Sequence, residues 1–126
     1  MARILIVEDY PNLQKLYRTV LEAEGYEVWL AKDGGEALGL VKDHEPDVIL
    51  LDLLLPREGG LEFLRSFDHE KYAHIKVLVF TNMASPELFA EAKALGADQY
   101  LLKAKYTPKE MAAVVKQALG DTGQKP

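Results

Sequence analysis

Four consecutive aliphatic residues, Val48-Ile49-Leu50-Leu51, stand between Asp47 and Asp52. A strand with one face in water alternates apolar and polar residues. A run that is apolar at every position has both faces covered, as in a parallel sheet with helices on each side. Asp47 to Asp52 therefore reads as a central strand, and Asp52 falls where the run stops. Its carboxylate should stand at the strand's C-terminal end, the edge where open α/β sheets gather their ligands and chemistry.

The pattern recurs. Ile4-Leu5-Ile6-Val7 is a second all-aliphatic run and ends in Glu8-Asp9. Ile75-Lys76-Val77-Leu78-Val79-Phe80 reads as a further strand and ends at Thr81-Asn82. Glu27 to Ala31 reads as a short strand, and Gln99-Tyr100-Leu101-Leu102 as one that ends at Lys103.

Helical periodicity fills the intervals. Pro11-Asn12 opens a helix with Leu13, Leu16, Tyr17, Val20 and Leu21 on one apolar face, closed by Gly25 at C′. Asp33 and Glu36 form a capping box for a helix that carries Ala37, Leu38 and Val41 inward and must end before Pro46. Leu61, Leu64 and Phe67 mark a short helix, followed by a polar connector from Asp68 to His74. Before it, the loop from Leu53 to Gly60 starts so apolar that part of it should rest on the body. Ser85 and Pro86 start a helix that Gly96 ends. Thr107 and Glu110 box the last helix, lined by Met111, Val114, Val115, Ala118 and Leu119 and stopped by Gly120. Five strands alternating with five helices predict one doubly wound parallel α/β sheet with right-handed crossovers.

The chain has 126 residues, of which 48% are hydrophobic, enough for one domain with one core. That domain is expected over residues 1–120, with 121–126 as a polar tail or the start of a linker. Basic and acidic side chains number 15 and 20, a net charge of −5 that argues against nucleic acid as a direct partner. The absence of cysteine removes disulfide and thiol chemistry and fits a reducing cytoplasm. The sequence has neither a signal peptide nor an apolar run of membrane length, so no membrane association is expected.

A doubly wound sheet brings the strand ends to one edge. Glu8, Asp9 and Asp52 would then share a small volume and repel one another unless a cation intervened. Hard carboxylate oxygens with room for water suit Mg²⁺. Lys103 adds a point charge and Thr81 a hydroxyl donor. The set suits a phosphoryl group on Asp52, with catalysis by positioning and electrostatics.

These residues carry a resemblance. Ile-Leu-Ile-Val-Glu8-Asp9, Val-Ile-Leu-Leu-Asp52 with Pro56 and Gly60 behind it, Val-Phe80-Thr81, and Gly96-Ala-Asp-Gln-Tyr100-Leu-Leu-Lys103 occur in order, each at an expected strand end. Over essentially its whole length the chain resembles the receiver domain of two-component response regulators, as in stand-alone chemotaxis and sporulation regulators. The resemblance implies a flavodoxin-like sheet of order 2-1-3-4-5. It implies that Asp52 takes phosphate from a histidine kinase's phosphohistidine. Mg²⁺ would be ligated by Asp9, Asp52 and the Leu54 carbonyl, with Glu8 acting through water. Thr81 would bond the phosphoryl group and Lys103 pair with it, while Tyr100 matches the switch aromatic that turns inward when the threonine moves. The implied partners are a sensor kinase or phosphotransfer protein, a downstream effector or output domain, and a phosphorylation-dependent homodimer. The expected partner face is the fourth helix, fifth strand and fifth helix. The chain would be no enzyme beyond catalysing its own phosphorylation and dephosphorylation, and reads either as a stand-alone regulator or as a receiver cut from a larger protein.

Two positions depart from the family. Ala104 follows Lys103 where proline with a cis peptide is usual, and Asn82 follows Thr81 where the residue is usually small. A cis bond before a non-proline residue costs about 2.5–4 kcal/mol, so a trans Lys103-Ala104 bond is expected, with Pro108 fixing the helix start. The same departures support the alternative of a degenerate receiver that serves only as an interaction module.

Other readings fare less well. A flavodoxin-type FMN binder needs a phosphate-cradling loop after the first strand, where Glu8-Asp9 would repel the phosphate. An aspartyl-nucleophile phosphatase wants a second acid two residues on, and Leu54 occupies that place. Read singly, Glu8-Asp9 fits a solvated pair, Thr81 a turn cap, Lys103 a surface lysine and Tyr100 an immobile core aromatic. His44, His69 and His74 share no spacing and read as surface residues. Trp29 reads as packing, and Phe63, Phe67 and Phe89 as core.

Overall fold

The computed structural model describes residues 1–57 and 59–121. The strands are β1 (Arg3–Val7), β2 (Glu27–Ala31), β3 (Val48–Leu51), β4 (Lys76–Thr81) and β5 (Gln99–Leu102). They alternate with α1 (Pro11–Ala23), α2 (Gly34–His44), α3 (Gly60–Ser66), α4 (Pro86–Ala94) and α5 (Pro108–Asp121). Every neighbouring pair is parallel, in the order β2-β1-β3-β4-β5.

The aliphatic runs are split between two cores. Leu5, Val7, Ile49, Leu51, Val77 and Val79 face Ala37, Val41, Phe63 and Leu64 of α2 and α3. Ile4, Ile6, Val48, Leu50, Leu78 and Phe80 face Tyr17 and Leu21 of α1 and Met111, Val115 and Ala118 of α5. Successive strand residues point to opposite faces, so an uninterrupted apolar run serves both layers.

Local sequence sets the helix ends. Asp33 accepts from Glu36 N at 2.9 Å, while Glu36 returns its bond to Lys32 N rather than to Asp33 itself. Glu45, at φ 44°, ends α2 just before Pro46. Ser85 Oγ accepts from Leu88 N, and Thr107 and Glu110 exchange both bonds of a capping box. Gly25 takes φ 91° after α1, a conformation glycine adopts without strain. Gly120 lies inside α5 instead of stopping it. Of the expected tail only Asp121 is described, as the last residue of α5.

Several expectations need correction. Phe63 and Phe67 are core, but Phe89 is 45% exposed. Of the α4 residues only Ala92 is buried, so the helix rests on the sheet by a narrow contact and leaves Phe89 outside it. Leu16 is exposed too, one step off the stripe that Tyr17 and Leu21 bury. Tyr72, in the connector read as polar, is buried and stacks on Phe67 at 5.6 Å. His74 is exposed, as expected. His69 is half-buried instead: its ring meets Phe67 edge-on at 4.8 Å and bonds Leu64 O at 3.0 Å. It also covers Gly96, where a Cβ would come within 2.5 Å of the imidazole. His44 stacks on Trp29 at 4.4 Å.

Candidate functional site

The C-terminal ends of β1, β3, β4 and β5 converge as the topology requires. Glu8 follows β1 directly and is buried, its backbone N–H donating to Ala31 O. Asp52 follows β3 and is held by its own N–H, which donates to Val7 O at 3.0 Å. Lys103 follows β5 and opens a single 3₁₀ turn, Lys103–Lys105.

Those three side chains meet. Lys103 Nζ donates to Asp52 Oδ2 at 2.7 Å and to Glu8 Oε1. The lysine side chain is 8% exposed, those of Glu8 and Asp52 4% and 9%. Burial alone would push the lysine pKa down, but the hydrogen bonds and charges of Asp52 and Glu8 outweigh it and raise the pKa above its ordinary value. Lys103 therefore stays an ammonium between two carboxylates.

The remaining acceptors of this cluster are also arranged. Asp52 Oδ1 accepts from Leu54 N at 3.1 Å, and Glu8 Oε2 from Tyr10 N at 3.0 Å. The Gln14 side-chain amide donates to Glu8 O, so α1 braces the β1–α1 turn. Below the loop, Gly60 is indispensable. A Cβ there would lie 2.6 Å from Leu53 Cα and 2.7 Å from Asp52 O. Leu53 is buried, which anchors the loop's apolar start, whereas Leu54 is 56% exposed.

Asp9 is exposed beside Glu8 and hydrogen-bonds to no described residue. Among the described residues no three acidic or histidine side chains form a ready-made metal cluster. The donor set nonetheless fits Mg²⁺ in kind. Glu8, Asp9 and Asp52 offer hard oxygens with an excess of negative charge, and the Leu54 carbonyl accepts no hydrogen bond from a described residue.

Thr81 ends β4 and is fully buried. Its Oγ1 accepts from Met83 N at 3.4 Å. Tyr100 lies on β5 with its ring edge-on to Phe89 at 5.5 Å, and its hydroxyl donates to Met83 O at 2.6 Å. The two expected switch residues are thus joined through one backbone unit. The sequence reading missed Met83, because a backbone amide and carbonyl leave no side-chain signal. It missed Gln14 and Tyr10 as braces of Glu8 for a similar reason. Asn82 is exposed.

The Lys103-Ala104 bond is trans, as are all described peptide bonds. The chain leaves the 3₁₀ turn through Tyr106, and Pro108 starts α5. Lys103 is aimed by its two carboxylates rather than by the backbone that follows it.

Comparison with known proteins finds a matching family and similar folds. The family model of the response regulator receiver domain matches residues 4–116. The polar-differentiation response regulator DivK of Brucella ovis is 36% identical over 119 residues, covering 94% of this chain and 96% of its own length. A CheY-like receiver domain protein of Methanospirillum hungatei superposes with a TM-score of 0.90 at 30% identity, covering 100% of this chain and 99% of its own. Chemotaxis protein CheY4 of Vibrio cholerae gives a TM-score of 0.86 at 32% identity, over 94% of this chain and 99% of that one.

Proposed function

The chain belongs to the response regulator receiver domain family of two-component systems, and from that premise we propose that Asp52 is its phosphoacceptor. The observation that carries this is the buried Glu8–Lys103–Asp52 cluster at the C-terminal edge of the sheet. An Asp52 carboxylate oxygen forms the O–P bond as the N–P bond of a kinase or phosphotransfer phosphohistidine breaks, and the electron pair returns to the ring nitrogen. Lys103 holds the nucleophile in place beforehand and neutralises charge on the transferring oxygens. The Thr81 hydroxyl donates to the phosphoryl group. Bound Mg²⁺ would be held by Asp9, Asp52 and the Leu54 carbonyl, with Glu8 behind them, and would supply further charge neutralisation. The chain's own catalysis is confined to gaining and losing this phosphate.

The switch follows from Met83. A phosphoryl oxygen that draws the Thr81 hydroxyl pulls on the backbone unit that also holds the Tyr100 hydroxyl. That is a local charge change acting on a two-state element. The face of α4, β5 and α5 then presents itself differently to an effector, an output domain or a second copy. No described helix is long and apolar enough to cross a membrane.

The test is intact-mass spectrometry. Acetyl phosphate with Mg²⁺ should add one phosphate to the wild type and none to Asp52→Asn. A wild type that takes no phosphate points instead to an interaction-only module, which Asn82 and Ala104 would suit.

A further inference from the structure

In the turn from β1 to α1, the two peptide groups that flank Asp9 are each clamped by a side chain. The carbonyl of the Glu8–Asp9 peptide accepts from the Gln14 side-chain amide. The N–H of the Asp9–Tyr10 peptide donates to Glu8 Oε2 at 3.0 Å. Glu8 is itself fixed, since its N–H donates to Ala31 O at 2.9 Å and its Oε1 accepts from Lys103 Nζ. The backbone of Asp9 has two soft torsions, and turning either one moves one of these peptide groups against the other. Pinning both sets the direction in which the Asp9 side chain leaves the chain. Its carboxylate is exposed and hydrogen-bonds to no described residue. The backbone of Asp9 is thus held while its charge stays unused.

The Gln14 bond does nothing for the helix that carries it. The first N–H groups of a helix lack partners and call for acceptors. In α1 the N-cap residue Tyr10 supplies no side-chain bond, and the first turn holds no acidic residue. Gln14 makes the first helical bond with its backbone, donating to Tyr10 O at 3.0 Å. Its half-buried side chain is a donor too, and it reaches back past the N-cap to a carbonyl. A donor cannot satisfy the unpaired N–H groups of the helix. The bond therefore serves the turn, and what the turn presents is Asp9.

We propose that Gln14 is a positioning residue for Asp9: by fixing the Glu8–Asp9 peptide it sets the direction of the Asp9 carboxylate, and with it the affinity of the site for a divalent cation. Glu8 clamps the peptide on one side of Asp9 and Gln14 the peptide on the other. Glu8 is tied to Lys103 and Asp52 through the buried cluster, whereas Gln14 ties the turn to α1. A carboxylate presented from a fixed backbone loses less freedom when it takes a cation, which is how preorganisation raises affinity.

The inference rests on the reading that Asp9 and Asp52 hold Mg²⁺, and the experiment separates it from phosphate transfer to Asp52. Backbone amide NMR signals are followed over a series of Mg²⁺ concentrations for wild type, Gln14→Met, Asp9→Asn and the double variant. Methionine keeps the length of the side chain and removes its donor. Gln14→Met should weaken Mg²⁺ binding about tenfold, the low end for loss of an outer-shell partner. Without metal, its Asp9 and Tyr10 amide signals should move while those of Val48–Leu51 stay. In the Asp9→Asn background the same change should have no further effect, because the carboxylate it positions is gone. A Gln14→Met affinity equal to wild type overturns the inference. So does an equal weakening in both backgrounds, which a merely structural role would produce, and so does a wild type that binds no Mg²⁺. Intact mass after acetyl phosphate is read on the same samples. A wild type that takes no phosphate but shows the Gln14 effect on Mg²⁺ overturns the phosphoacceptor reading alone, whereas phosphorylation with a Mg²⁺ affinity indifferent to Gln14 overturns this inference alone.

Discussion

The Glu8–Asp52–Lys103 cluster and the Tyr100–Phe89 face occupy the same edge of the sheet and are built in opposite ways. In the cluster, every charged side chain is less than a tenth exposed and is held by at least two hydrogen bonds. At the face, Phe89 is 45% exposed, and α4 has one buried residue, Ala92, with Leu88 half-buried against the core. Tyr100, Leu102, Phe89, Ser85 and Pro86 border an open groove of about 430 Å³. Across its other side, α4 is tied to α3 by the half-exposed Arg65–Glu91 pair at 2.6 Å. The difference separates two tasks. Charge must be fixed where a bond is made, because preorganised electrostatics do the catalysis. Where the result is read out, few buried contacts mean that rearrangement is inexpensive.

Substitutions on the two sides should therefore differ in cost. Lys103→Met leaves two buried carboxylates facing each other and should destabilise by about 3 kcal/mol in metal-free buffer, as for other broken buried pairs. Urea unfolding measures this, and a loss close to zero would mean the cluster is not a fixed structure. Its pH dependence sharpens the point. Lys103 has a raised folded pKa, so its stabilisation is fully present below its ordinary value of 10.5 and is lost as pH rises through the folded value. The advantage of wild type over Lys103→Met should thus persist through neutrality and shrink only above that pH.

Gly60→Ala comes next. Its Cβ meets backbone of Asp52 and Leu53, which cannot step aside, so a cost of about 2 kcal/mol is expected along with slower phosphorylation. A neutral Gly60→Ala would show that the loop under Asp52 is softer than its contacts suggest. On the reading face, Tyr100→Phe removes one hydrogen bond to Met83 O and should cost about 1 kcal/mol. Arg65→Ala should be the mildest, at most about 0.5 kcal/mol at low salt and less as salt screens the pair. If Arg65→Ala costs as much as Lys103→Met, the contrast between the two regions fails.

Much of this was legible because local rules and the fold agree. Runs such as Ile4–Val7 and Val48–Leu51 announce strands covered on both faces, and Ser85, Thr107 and Asp33 announce helix starts. Once the strands are parallel, Glu8, Asp52, Thr81 and Lys103 have to gather at one edge. What stayed hidden depends on contacts between distant segments. Phe89 has core composition, but α4 presents too little of itself to the sheet to bury it. His69 packs over Gly96, 27 positions away in a chain whose histidines share no spacing. Tyr72 is apolar ballast within an otherwise polar connector. Asp9 and Glu8 are adjacent and chemically alike, yet only the tertiary structure pairs Glu8 with Lys103 and leaves Asp9 outside. Met83 acts through its backbone, so it does not stand out in sequence.

The most direct measurement follows backbone amide signals by NMR while beryllofluoride and Mg²⁺ put a phosphoryl mimic on Asp52. A rigid cluster joined to a yielding face requires signals of Met83, Phe89 and Tyr100 to shift along with those beside Asp52, while Ile4–Val7 and Val48–Leu51 keep the dispersion of an unchanged core. Shifts confined to the neighbours of Asp52, with Tyr100 and Phe89 unmoved, would contradict it.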